Sequence, residues 1–262
     1  MKSISMVSHI KHDVFILDDN SPDNTGQIIK NLYPTFNLIY GNGNLFWSKG
    51  TRKAWQYASL KNDYDFYVWL NDDVVLFKKA FSIIYNDLNK KPSSILIGVF
   101  SKSKSSIQEI TYGGRDENLN LLIPNGDPQK CLWMNGNFVF IPKKIYNEVG
   151  LLSKVYTHNY GDVDYGLRAI KMGFDLNISS QIIGTCEKNK IEKWRNPKSR
   201  FLDRIKSFRK TKNFRLVEVI YFQFYHFGIL GLLKYLFGIF IILLSPKIYY
   251  SLSKKMTEKK NW

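Results

Sequence analysis

The stretch HNYGDVDYGLR, residues 158–168, places two aspartates and an arginine at spacings that suit both chemistry and architecture. On a helix, Asp162 and Asp164 are separated by about 200°, so their carboxylates cannot face the same pocket. Asp164 and Arg168 stand at i,i+4, the spacing of an ion pair along a helix surface. These carboxylates serve either as the acidic start of a solvated helix or, in one of them, as a general base. Two further acidic turns follow apolar runs: DDNS (18–21) after DVFIL (13–17), and NDD (71–73) after DFYVWL (65–70). An all-oxygen set of this kind suits Mg²⁺ or Mn²⁺, which take one or two protein carboxylates and complete their shell with substrate phosphate. The plainer reading of each turn is a helix cap, since Asx side chains satisfy free N–H groups at helix starts.

The elements that position these turns alternate. Apolar strand patterns at 13–17, 37–40, 65–70 and 93–100 are interleaved with helical patterns at 26–33, 49–60 and 78–90. Such alternation predicts an α/β fold with a mostly parallel sheet flanked by helices. In sheets of this kind ligands sit at the carboxyl ends of strands, where both acidic turns fall. Residues 101–132 are rich in Gly and Pro and read as loops with a hairpin. A strand at 133–141, a helix at 143–149 closed by Gly150, and a helix running from the opening motif to Gly173 follow.

The chain has 262 residues, 44% hydrophobic and 15% aromatic, enough for one sizeable core. Its two cysteines, Cys131 and Cys186, have no metal-type spacing and fit a reducing compartment. No long apolar run follows Lys2, so no signal peptide is visible. The net charge of +16 calls for an anionic neighbour: nucleic acid, acidic lipid or a phosphorylated substrate. Much of it lies between Lys188 and Arg215, immediately before the apolar stretch 219–246. Basic charge beside an apolar tail, with no aromatic-interleaved groove, argues against nucleic acid. The division expected is a catalytic-type domain at 1–189 and a basic, hydrophobic helical tail at 190–262. Lys234, Gln223, His226 and several glycines interrupt the tail, which favours interfacial helices over one span or packing on the catalytic domain.

Six motifs occur in order: ILDDNSPDNT (16–25), GNGNLFWSKG (41–50), VWLNDDV (68–74), TYGG (111–114), MNGNFVFIP (134–142) and HNYGDVDYGLRAIKMGF (158–174). Together they resemble the family 2 glycosyltransferases of the GT-A fold, in the bacterial, rhamnosyltransferase-like subset that builds surface polysaccharides. The resemblance implies transfer from a nucleotide-sugar donor with inversion at the anomeric carbon, to a glycan or lipid-linked glycan acceptor. It puts Asp18 and Asp19 on the donor's base and ribose. Asn71, Asp72 and Asp73 match the family's metal-binding acidic turn, with Asp73 the main Mg²⁺ or Mn²⁺ ligand and Asn71 where many members have Asp. Gly43 and Gly50 flank a turn that brings backbone to the donor. Trp47 reads either as a sugar wall or as a core aromatic. Asp162 matches the general base, whereas Asp164 is left to Arg168. The region where relatives carry a metal-binding His reads IIGTCEKN, in which Glu187 is the only substitute. Family members also begin with a strand that this sequence lacks, its first ten residues resembling the end of the helix that follows that strand. The alternative function is therefore an N-terminally truncated, catalytically weak or inactive relative that acts only by binding membrane or partner proteins. The location implied is the cytoplasmic face of the cell membrane, on an anionic surface.

Overall fold

The computed structural model describes residues 11–102, 109–189, 193–210 and 215–251, and the chain divides into two compact units, 1–188 and 189–262. The first unit begins β1 (Phe15–Asp18), α1 (Thr25–Leu32), β2 (Asn37–Tyr40), α2 (Phe46–Lys61), β3 (Phe66–Leu70), β4 (Val75–Leu76), α3 (Ala80–Lys90) and β5 (Ser94–Ser101). It continues with β6 (Ile110–Tyr112), β7 (Gln129–Cys131), β8 (Phe138–Pro142), α4 (Lys143–Val149), α5 (Gly161–Lys171) and β9 (Asp175–Thr185). This is the expected α/β architecture, a sheet flanked by helices.

Every residue of β5, SILIGVFS, is buried, as an unbroken apolar strand must be when both sheet faces are covered. It pairs antiparallel with β8 and parallel with β9. β3 adds antiparallel beyond β8, and β4 antiparallel beyond β9. The long strands β3, β5 and β9 thus share one direction, with β8 reversed between β3 and β5. The sheet is therefore mixed in its pairing where mostly parallel pairing was expected. Parallel neighbours need a crossover, usually helical, and the described residues between β5 and β8 contain no helix. β1 and β2 form a separate parallel pair. The expectation of a missing N-terminal strand falls on residues 1–10, outside the described residues.

Alternation along the strands sorts two cores. Tyr67, Trp69, Ile95, Ile97, Val99, Val139 and Ile141 point to one face, where they meet Trp55 of α2, Ile145 of α4 and Tyr165 and Ala169 of α5. Leu96, Phe100, Phe138 and Phe140 point to the other, against Ala80, Ile84 and Leu88 of α3.

In the second unit the basic segment leads into α6 (Phe201–Lys210), and the apolar stretch forms α7 (Leu216–Leu244). By length and composition α7 is a candidate membrane span, with mean hydropathy 2.4 over its most apolar window. Helical geometry breaks inside it at Gly228, φ 67° and ψ −170°.

Candidate functional site

The two aspartates of the opening motif sit in the first turn of α5, where the helix dipole favours negative charge. Asp164 is buried. Its Oδ2 accepts from Arg168 Nε at 2.9 Å and its Oδ1 from the Tyr156 hydroxyl at 3.2 Å. Arg168 spends its other donors on the carbonyls of Val149, at 2.8 Å, and Leu151, at 3.0 Å. The pair is an anchor for the loop before α5. Asp162 faces elsewhere and is only partly covered. Its Oδ2 accepts the Gly136 N–H and its Oδ1 the Val163 N–H, both at 2.8 Å. Burial pushes this carboxyl above its ordinary range, against the pull of those N–H groups. A carboxylate held at both oxygens, with a raised appetite for a proton, is suited to general-base work.

The start of α2 joins the other motifs to this point. Asp19 takes three backbone donors: Gly43 N–H on Oδ1 at 2.8 Å, and Leu45 and Phe46 N–H on Oδ2 at 2.8 and 3.0 Å. It therefore caps α2 from a distance and folds the GNGN turn, in which Gly43 has φ 82°. The same bonds hold Phe46 in a left-handed conformation, φ 52°, which costs a non-glycine residue about 1–2 kcal/mol. Asp19→Ala should lower stability by about 3 kcal/mol, because bonds to a charged acceptor are the strong ones. Urea denaturation measures that loss, and Asp19→Asn should recover part of it.

Trp47 lies on the backbone of Gly136; a Cβ there would stand 2.1 Å from the indole ring. Its Nε1 donates to Asn71 Oδ1 at 2.7 Å, and Asn71 Nδ2 donates to Asn137 Oδ1 at 2.8 Å. Ser48 completes the stitching, its N–H to Thr157 O at 3.0 Å and its hydroxyl to His158 O at 3.1 Å. Residues 45–48 thus touch the 18–21 turn, the 71–73 turn, the MNGN strand and the start of α5. Of the residues that build this hub, Asn137 carried no role in the sequence reading. Its only signal was an asparagine at the threshold of a buried strand.

The remaining positions fall as follows. Asp18 is buried; its Oδ1 accepts Ser21 N–H at 2.9 Å, and Oδ2 has no partner among the described residues. Gly50 does not flank the turn as expected. It lies inside α2, buried, with Leu17 Cδ2 3.2 Å from where its Cβ would be, so its smallness serves helix–strand packing. Asn71, expected as a metal and donor ligand, has its amide bound at both ends within the protein. Asp72 and Asp73 are exposed and have no ion-pair partner among the described residues. Partial desolvation and the charge of Asp72 push the Asp73 carboxyl up. Asp73 and Glu187, after burial itself, help raise the Cys186 thiol to about 11. Among the described residues no three His, Cys, Asp or Glu side chains converge as a cage. Two unneutralised carboxylates without a cage fit a Mg²⁺-type ion, which relies on substrate oxygens for the rest of its shell.

The family model described as glycosyl transferase family 2 matches residues 2–156 of this chain. Among solved structures, GalNAc-T7, crystallised with UDP, GalNAc and Mn²⁺, is similar over 68% of this chain and 38% of its own. Its identity is 12% and its TM-score 0.51. S. aureus TarS 1–349 matches over 71% of this chain and 54% of its own, at 14% identity and a TM-score of 0.47. The chain thus spans less than two thirds of either structure. No curated protein matches it.

Proposed function

Because this chain belongs to glycosyl transferase family 2, we propose that its first unit moves a sugar, with inversion, from a nucleotide-sugar donor to a hydroxyl of a lipid-linked surface glycan. The observation that carries this reading is Asp162, a half-buried carboxylate fixed at both oxygens beside the Trp47–Asn71–Asn137 chain. Asp162 takes the proton of the acceptor hydroxyl as that oxygen attacks the anomeric carbon. The bond from that carbon to the diphosphate oxygen breaks on the opposite face, and its electron pair leaves with the nucleoside diphosphate. Asp18, with one carboxylate oxygen uncommitted, contacts the nucleoside, and Asp19 keeps the turn beside it in shape. Trp47, packed on Gly136, walls the sugar.

Asp73, with Asp72, would hold Mg²⁺ or Mn²⁺ together with the donor's phosphates. When bound, such an ion offsets charge gathering on the departing diphosphate. The donor is a nucleotide-hexose, rhamnose included. The second unit, basic and apolar, keeps the enzyme on the cytoplasmic face of the cell membrane, beside a lipid-linked acceptor.

Thermal melts with UDP, GDP and dTDP, each with and without Mn²⁺, test the donor side. One nucleotide should stabilise the fold by RT ln(1 + [L]/Kd) and so raise Tm in a Mn²⁺-dependent way, and Asp73→Asn should remove the Mn²⁺-dependent part. No stabilisation by any nucleotide, together with no hydrolysis of the matching nucleotide sugars, would leave the inactive-relative reading in its place.

A further inference from the structure

The membrane reading above leaves open whether α7 crosses the bilayer, and its geometry answers in a specific way. The break at Gly228 divides it into arms of 12 and 16 residues, 216–227 and 229–244. At 1.5 Å per residue these are about 18 and 24 Å long, against about 30 Å of hydrocarbon. The arms are also folded toward each other. A Cβ placed on Gly231 would lie 3.8 Å from the carbonyl oxygen of Gln223, eight residues earlier, whereas eight residues of straight helix rise by about 12 Å from Cα to Cα. That approach also brings the Phe227 Cβ to 2.2 Å from the same point, so only glycine fits at 231.

The far end folds back as well. A helical turn at 246–251 follows α7, and Tyr249 Cε2 comes within 3.5 Å of the Cβ position of Gly238. The buried Arg204 of α6 donates to the last carbonyls of α7, Leu243 at 3.0 Å and Leu244 at 2.8 Å, and also to Ser199 O at 2.5 Å. The end of the apolar helix is thereby tied to the basic segment, and the carbonyls of Ile241, Leu243 and Leu244 are satisfied within the protein.

The outer surface points to the partner. Val217, Phe224, Leu230, Leu233, Phe237 and Phe240 each leave more than half of their surface exposed, spread over both arms. Lys234 is exposed in the middle of the second arm. A tip-first insertion would sink that ammonium into hydrocarbon, whereas an arm lying in the interface lets it reach the headgroups. Tyr221 and Tyr225, exposed in the turns before the bend, are of the type that settles at the headgroup level. Lys193, Arg195, Lys198, Arg200 and Lys206 face a single acid, Asp203, across residues 193–206. Each basic side chain near an anionic leaflet adds about 1 kcal/mol of attraction.

We propose that the second unit is an in-plane anchor for an anionic phospholipid surface: α7 doubles back at Gly228, both arms lie in one leaflet, and the chain stays on a single side of the membrane. This rests on the membrane reading and specifies its form. The test uses the full chain produced in bacterial cells, with Lys198→Cys and Lys247→Cys as separate variants at exposed positions on either side of α7. The native thiols, Cys131 and Cys186, are buried, and the unsubstituted chain sets the background. With a membrane-impermeant maleimide, both variants should sediment with membranes, stay unlabelled in intact spheroplasts and become labelled on lysis. Labelling of either one in intact spheroplasts would mean a crossing helix and overturn the in-plane form. Failure of the chain to sediment with membranes, or to float with phosphatidylglycerol vesicles at low salt, would overturn the membrane reading itself.

Discussion

Asp162→Asn should lower kcat by about 10²–10⁴-fold, the usual worth of a positioned general base, while donor affinity stays unchanged. Burial raises the Asp162 pKa above 3.8, and the consequences for activity and for stability have opposite signs. Catalysis needs the ionised form, so kcat/KM should fall on the acid side through an apparent pKa above the ordinary carboxylate range, and the variant should lose that limb. Stability runs the other way. A raised pKa means that the native state holds the proton more tightly than the unfolded chain. The stabilisation is therefore full below about pH 3.8 and is lost as pH rises through the folded pKa. Above that folded pKa the ionised carboxylate is a burden on the fold, which Asn removes. Against this, the amide offers an acceptor to only one of Gly136 N–H and Val163 N–H, a loss of about 1 kcal/mol. The two effects oppose, and Tm should move by no more than a few degrees. A single-turnover rate, a pH profile and a thermal melt of the same preparation check all three parts. A melt lowered by about 10 °C would assign Asp162 to the architecture.

Arg168→Met should do the converse. It keeps the length of the side chain but leaves the Asp164 carboxylate buried without its cation and strands the carbonyls of Val149 and Leu151. Breaking a buried pair from one side costs about 3–5 kcal/mol, a fall in Tm on the order of 10 °C for a unit of this size. Below the new transition the rate per folded molecule should be close to that of the parent chain. Arg168 bonds to Asp164 and to the loop before α5, and to neither oxygen of Asp162. Denaturant titration gives the stability term, and activity corrected for folded fraction gives the other. A large rate loss in fully folded Arg168→Met would show that the loop before α5 shapes the catalytic side directly.

This separation of the two aspartates was legible from spacing alone, because a helix turns 100° per residue whatever surrounds it. The strands DFYVWL and SSILIGVF were legible for a similar reason: their apolar runs have few other ways to be buried. β9 was harder. DLNISSQIIGT mixes polar and apolar residues, and Asn177, Ser179 and Ser180 are all buried in it. Ser179 Oγ accepts Val99 N–H at 3.0 Å where the register shifts, and Ser180 N–H donates to the buried Asp87 at 2.8 Å. The Ser179 hydroxyl, which also donates to Gln181 O at 2.7 Å, shows how a polar side chain satisfied by specific neighbours enters a core without leaving a periodic trace, whereas Asn177 Nδ2 is buried with no partner among the described residues.

The acidic turns pose a different difficulty. DDNS and NDD announce oxygen chemistry, but not which oxygens are taken up by the protein. Asp19 and Asn71 turn out to hold backbone and indole groups, and only the fold could reveal those distant partners. Gly50 was misplaced because a glycine close to a GNGN turn looks like part of it. The turn ends earlier, where Asp19 starts the helix.

The hub at residues 45–48 bears on how an enzyme of this kind can diverge. Leu45 and Phe46 answer to Asp19, Trp47 to Asn71 and Gly136, and Ser48 to Thr157 and His158. A substitution in any partner segment is therefore felt by the other segments through one short stretch of chain, and its effects will not add. New specificities have more room to arise in the 109–132 segment, which changes its side chains without passing through that junction.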